Sequence, residues 1–176
     1  MLKTERGFTV IEMLIASVVF AIIFGAAMSV LVSSMRLQKY NLAQHELMNQ
    51  ASYAVEYMAR ALRMAVKDDG SCGSALNYNI VQSQSVSFMN YNGDCQRFYI
   101  NNGQLMVSVA GGNLAGGVAL TSDNFEILNL NFYKTGDGAG PLQQPKITVF
   151  IHLRAKTLHD KPEMKIQTTV SQRNIM

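Results

Sequence analysis

One carboxylate stands alone in the most apolar part of this chain. From Phe8 to Met35 run 28 residues whose only charge is Glu12. A carboxylate at depth in apolar surroundings costs on the order of 3 kcal/mol, so its presence calls for a compensating partner. The other residues able to do covalent chemistry are Cys72 and Cys95, both in Gly/Ser/Asn-rich loops. Two thiols cannot build a zinc site by themselves. In an extracytoplasmic domain they would pair as a disulfide, worth about 3 kcal/mol on chain-entropy grounds; in a reducing compartment they would stay free. There is no Cys-x-x-Cys, which argues against thioredoxin-type redox chemistry.

The remaining polar candidates point to ordinary structure. His45, His152 and His159 are isolated, with no acidic residue at metal-ligand spacing, and read as surface histidines. Asn90-Tyr91-Asn92-Gly93-Asp94 and Thr135-Gly136-Asp137-Gly138 offer oxygens to calcium, but neither matches the calcium-loop spacing and both suit turns. The stretch from Gly111-Gly112 to Gly116-Gly117 lacks the Lys-Ser/Thr of a phosphate-binding loop and precedes no helix. No serine sits in a Gly-x-Ser-x-Gly turn or beside an evident base. Lys146 to Arg173 holds six basic and two acidic residues, a patch for lipid headgroups or DNA or simply a solvated hairpin. The expectation is therefore a non-enzyme with no cofactor and no metal.

The elements that carry these residues are uneven in composition. Of 176 residues, 48% are apolar and only 15% charged, which excludes a disordered acidic or basic tail. A formal net charge of +3 is too small for a chain-wide polyanion binder, so nucleic acid is not an expected partner. The Phe8–Met35 run exceeds the ~20 residues a bilayer core requires and is too long for the apolar core of an ordinary signal peptide. Lys3 and Arg6 before it balance Arg36 and Lys39 after it, so flanking charge does not set its orientation.

Beyond Met35 the helical pattern continues without Gly or Pro to Val66. Tyr40, Ala43, Leu47, Ala51, Ala54, Met58, Ala61, Leu62 and Ala65 recur at spacings of three and four, the apolar stripe of an amphipathic helix. One continuous helix from Phe8 to Val66 is expected, stopped by Asp68-Asp69-Gly70. The rest reads as strands: Val81–Tyr91, Gln96–Ile100, Gln104–Val109, Phe125–Tyr133 with a bulge near Ile127, Lys146–Arg154, and Met164–Val170. Asn101-Asn102-Gly103 is a strong hairpin signal. The fold class is α+β: a long N-terminal helix, transmembrane in its first half and amphipathic in its second, packed on a C-terminal antiparallel β-sheet domain.

Arg6-Gly7-Phe8-Thr9-Val10-Ile11-Glu12-Met13-Leu14-Ile15-Ala16 resembles the processing signal of the type IV pilin and pseudopilin superfamily. The resemblance implies cleavage by prepilin peptidase between Gly7 and Phe8, methylation of the new amine at Phe8, and an assembly role for Glu12. It implies a leader over 1–7, a membrane and filament-core helix over 8–35, an amphipathic helix over 36–67 and a globular β domain over 68–176. Major pilins usually carry a helix-breaking proline where this chain has Ser29, which favours a minor subunit. The length, the late strands and the Thr168-Thr169-Val170-Ser171-Gln172-Arg173-Asn174 ending are loosely similar to J-type minor pseudopilins and W-type minor pilins.

The implied partners are other pilin or pseudopilin subunits through the N-terminal helix, prepilin peptidase, the inner-membrane assembly machinery and lipid. The implied location is the inner membrane, single-pass, with the C-terminal domain periplasmic or extracellular. Chemically, a glycine before the cut lets the backbone lie extended and close to a protease. Methylation leaves the amine cationic and available to Glu12. The competing expectation is a secreted or membrane-tethered enzyme or binding protein, with Gly25-Ala26-Ala27 as an ordinary signal peptidase site. Glu12 separates the two, being awkward in a signal peptide.

Overall fold

The computed structural model describes residues 7–68, 70–73, 77–110, 116–136, 144–156 and 161–173. Lys3, Glu5 and Arg6 of the expected leader, Asp69, Gly111, Gly112, Asp137, Gly138, His159 and Asn174 lie outside the described residues. Helix α1 (Val10–Arg63) is followed by eight strands. The chain divides into two compact units, one ending at Asn41 and one beginning at Leu42.

In the first unit Thr9 caps α1. Its hydroxyl and its carbonyl both accept from the Glu12 N–H, at 3.3 and 3.1 Å, which satisfies a donor that the first turn would leave open. Every described residue from Gly7 to Lys39 is exposed, including the whole apolar run. Helix α1 is the one helix among the described residues long and apolar enough to cross a membrane. Its apolar side chains face all directions, as a lipid-facing or helix-packed segment requires.

The second unit is built on the stripe read from the sequence. Leu47, Ala51, Ala54, Met58, Leu62 and Ala65 are fully buried. Small alanines alternate with large side chains there, which lets the helix lie close to what it covers. The helix ends at Arg63, three residues short of the expected Val66, because tertiary partners take over its last carbonyls. The Tyr78 hydroxyl donates to Leu62 O at 2.7 Å, the Arg173 N–H to Arg63 O at 2.8 Å, and the Gln172 carboxamide to Ala65 O at 2.7 Å. Val66 itself donates to Met89 O at 3.0 Å, so that residue joins a strand bridge instead of the helix.

The strands form two antiparallel sheets where one was expected. The first has β1 (Asn79–Val81), β2 (Ser85–Met89), β3 (Cys95–Asn101), β4 (Gln104–Ala110) and β5 (Val118–Ala119) in chain order. The second has β6 (Phe125–Thr135), β7 (Lys146–Ala155) and β8 (Glu163–Ser171), also in order. They meet at β6, whose Ile127 and Phe132 N–H groups donate to Gly103 O and Ser83 O, both at 2.7 Å. Those acceptors sit in the β3–β4 and β1–β2 turns, so single bonds replace a continuous ladder.

Local signals explain most of the register. Asn102 and Gly103, with φ of 50° and 75°, form a two-residue turn between Asn101 and Gln104. Positive φ at both central positions matches the right-handed twist of the flanking strands. The expected strand Val81–Tyr91 is instead two strands, split at Gln82 and Ser83, which adopt φ of 52° and 59°. The β6–β7 register slips between Ile127 and Asn129, the bulge expected there. Phe88, Phe98, Phe125, Phe132, Ile147, Ile151 and Leu153 close the core over the buried helix stripe.

Candidate functional site at the helix N-terminus

Gly7, Phe8 and Thr9 precede the helix, and Glu12 is its third residue. A helix start concentrates partial positive charge from its unpaired N–H groups, so a carboxylate in the first turn gains about 0.3–1 kcal/mol where the site is exposed. Thr9-Val10-Ile11-Glu12 has the Thr-x-x-Glu spacing of a capping box, and the Thr9 half of that arrangement is formed. This capping signal was readable in the sequence but lay hidden behind the processing motif, whose residues it shares. It gives Glu12 a local task, through its N–H, that does not involve its carboxylate.

The carboxylate has no ion-pair partner among the described residues. Ile15, Ala16, Val19, Phe20 and Ile23 continue along the same helix face, at spacings of three and four. Phe20 and Phe24 lie with ring centroids 5.9 Å apart. The result is one acceptor group at the head of an exposed apolar stripe. Chemically it can do little alone; it can receive a cation and offer a greasy surface. Residues 2–28 match the family described as prokaryotic N-terminal methylation motif.

The chain carries a prokaryotic N-terminal methylation motif.

That motif supports the type IV pilin and pseudopilin family, and with it a chain processed by prepilin peptidase. It spans Gly7, Phe8, Glu12 and α1 as far as Met28, and leaves the β domain unmatched. No curated protein and no solved structure matches the chain. Together with the apolar helix, the methylation motif points to a membrane-anchored protein.

The other candidate residues lie in the second unit. Cys72 and Cys95 are joined as a disulfide with their Cα atoms 5.4 Å apart, fastening the segment after α1 to the start of β3. Asp68 organises that segment, a role the sequence did not suggest. It is 3% exposed, and its carboxylate accepts from the Gly70 N–H at 3.0 Å and the Cys72 N–H at 3.0 and 3.2 Å. The Asn90 carboxamide oxygen is likewise spent on the backbone, accepting from Asn92 and Asp94 N–H at 2.9 and 3.0 Å. No cluster of three or more His, Cys, Asp or Glu able to hold a metal exists among the described residues.

His45 is exposed on α1. His152 has an acidic neighbour after all: Glu163 lies 3.0 Å from its Nε2, brought there by the β7–β8 pairing rather than by sequence spacing. Arg154 pairs with Glu126 at 2.6 Å across β6 and β7. That hydrogen bond, with the guanidinium charge, holds the Glu126 carboxyl below its ordinary value and raises Arg154. Part of the basic C-terminal patch is thus already neutralised within the sheet.

Proposed function

We propose that this protein is a structural subunit of a type IV pilus or type II secretion pseudopilus, placed in the filament or its tip complex. In this reading prepilin peptidase removes residues 1–7, the Phe8 amine is methylated, and residues 8–35 span the inner membrane until they pack into the filament core. Residues 36–67 hold the β domain of 68–176, which lies outside the cytoplasm and presents the recognition surface. The partners are other subunits, the peptidase and the assembly machinery of the inner membrane. Function comes from assembly and not from turnover.

The match of residues 2–28 to the methylation motif carries the proposal. The exposed, capped helix start with Glu12 at the head of an apolar stripe supports it. The unbroken course of α1 through Ser29 favours a minor subunit. The Cys72–Cys95 disulfide suits an oxidising compartment. Sequencing the N-terminus of protein recovered from native membranes tests the reading: methylated Phe8 is expected. A start near Met28 would instead indicate conventional signal peptidase and a secreted or tethered domain.

A further inference from the structure

Backbone bonds at the two ends of β8 show which of its groups face away from the sheet. The Gln172 N–H donates to Pro145 O at 2.9 Å and the Ala155 N–H to Pro162 O at 3.0 Å. With the β7–β8 register between them, Met164, Ile166, Thr168 and Val170 are the residues that bond to β7. Glu163, Lys165, Gln167, Thr169 and Ser171 therefore turn their N–H and C=O groups outward. β8 ends its sheet, and no described residue bonds to those backbone groups.

The other sheet edges are managed. β1 has three residues and β5 two, which blunts them by shortness. The far side of β6 is tied to two turns through Ile127 and Phe132. β8 instead runs nine residues without proline, and its register with β7 has no bulge. Its two charges, Glu163 and Lys165, both sit at its start. The inner apolar layer also thins there. Ile147, Val149, Ile151 and Leu153 of β7 are fully buried, whereas Met164, Ile166 and Thr168 of β8 are half-buried.

We propose that the open edge of β8 receives an extended segment of another protein chain as an added antiparallel strand. A peptide backbone supplies donors and acceptors at the repeat this edge presents, which fixes the class of the occupant. Its inward side chains are apolar and complete the cover over Met164 and Ile166. It is acidic where it passes Lys165, which is exposed and has no ion-pair partner among the described residues. A second copy would not answer that charge: β8 paired with β8 about Gln167 sets Lys165 opposite Thr169. The occupant thus belongs to a different chain. This assignment does not rest on the filament reading, which N-terminal sequencing tests separately.

The test uses the full chain in phosphatidylcholine nanodiscs and a labelled nonapeptide in which valine alternates with threonine. One aspartate replaces the threonine that would lie opposite Lys165. Fluorescence anisotropy should show saturable binding, weakened about tenfold or more by Gln167→Pro or Thr169→Pro. Those prolines remove outward N–H groups and leave the β7 bonds intact. Gln167→Ala, which keeps the backbone donor, should bind within about twofold of wild type. Hydrogen exchange at Lys165, Gln167 and Thr169 should slow when the peptide binds. An intact Cys72–Cys95 disulfide and an unchanged melting temperature verify that the variants fold. Should they not fold, the wild-type chain decides: N-methylation of the peptide's threonines should abolish binding, and N-methylation of its valines should not. Absence of binding at about 1 mM overturns the proposal, as does binding that survives Gln167→Pro in a folded variant or N-methylated threonines. Equal binding of a peptide with lysine in place of aspartate overturns the acidic choice. Self-association of the chain that Gln167→Pro abolishes would make the occupant a second copy and overturn the choice of partner.

Discussion

Glu12 makes two contributions that one substitution separates. Its N–H is held by Thr9, and that bond needs no carboxylate. Glu12→Ala should therefore leave the helix start capped and cost only the small dipole contribution of the first turn. Assembly is another matter, because a carboxylate surrounded by apolar helices is tolerated only where a cation meets it. Processed at Phe8, the chain would own such a cation one helical turn away, and neighbouring subunits would own others. Glu12→Ala should insert, be cut and fold, yet enter filaments about tenfold less efficiently, as expected for a loss near 1.4 kcal/mol. Comparing sheared fractions at equal membrane abundance checks this; equal incorporation would remove Glu12 as the register element. Gln172 is the opposite kind of residue, buried and structural. Its carboxamide satisfies Ala65 O just beyond the end of α1, so Gln172→Ala should cost about 1–3 kcal/mol in urea unfolding.

At the scale of elements, the disulfide and the Glu126–Arg154 pair act through different states of the chain. The Cys72–Cys95 link closes a loop with a sequence separation of 23, and removing it frees the unfolded chain more than it disturbs the folded one. Replacing both cysteines with serine should cost about 3 kcal/mol, read as a lower denaturation midpoint with a steeper slope, because the unlinked unfolded chain exposes more surface. The Glu126–Arg154 pair acts through charge. Because the Glu126 carboxyl titrates lower when folded, its stabilisation is present above its ordinary value of 4.5 and fades as pH falls below that. Melting curves of wild type and Glu126→Gln should therefore differ at neutral pH and converge in acid. The same elements show what the sequence could reveal. The helix stripe, the Asn102-Gly103 turn and the bulge by Ile127 follow local periodicity or turn chemistry, and all three are present. The Gln82–Ser83 turn was not readable, since neither residue favours positive φ; the backbone is held there while Ser83 O receives the Phe132 N–H. The helix end, the split into two sheets and the His152–Glu163 contact all depend on residues far apart in sequence.

For the molecule as a whole, the chain divides between Asn41 and Leu42 into two units whose surfaces differ in kind. Up to Lys39 every described residue is exposed and most are apolar, a surface that water disfavours and lipid or other helices would accept. From Leu42 onward the chain has its own closed core, in which the helix stripe from Leu47 to Ala65 is buried beneath both sheets' apolar residues. The bonds that terminate the helix also come from within this unit, through Tyr78, Met89, Gln172 and Arg173. Nothing in that accounting draws on the apolar half of α1. A fragment from Leu42 to Met176 should therefore fold in water without detergent, form the Cys72–Cys95 disulfide in an oxidising compartment, and unfold in one cooperative step. Its melting temperature should lie within about 5 °C of the β domain in the full chain, since roughly 1 kcal/mol moves the midpoint of a domain this size by that amount. Fraying at the new helix start is the one expected loss, confined to the turns before Leu47. Near-ultraviolet circular dichroism and hydrogen exchange on the fragment decide the matter. A compact state without fixed aromatic signals would mean that the apolar half of α1 is needed to order the domain, not only to anchor it.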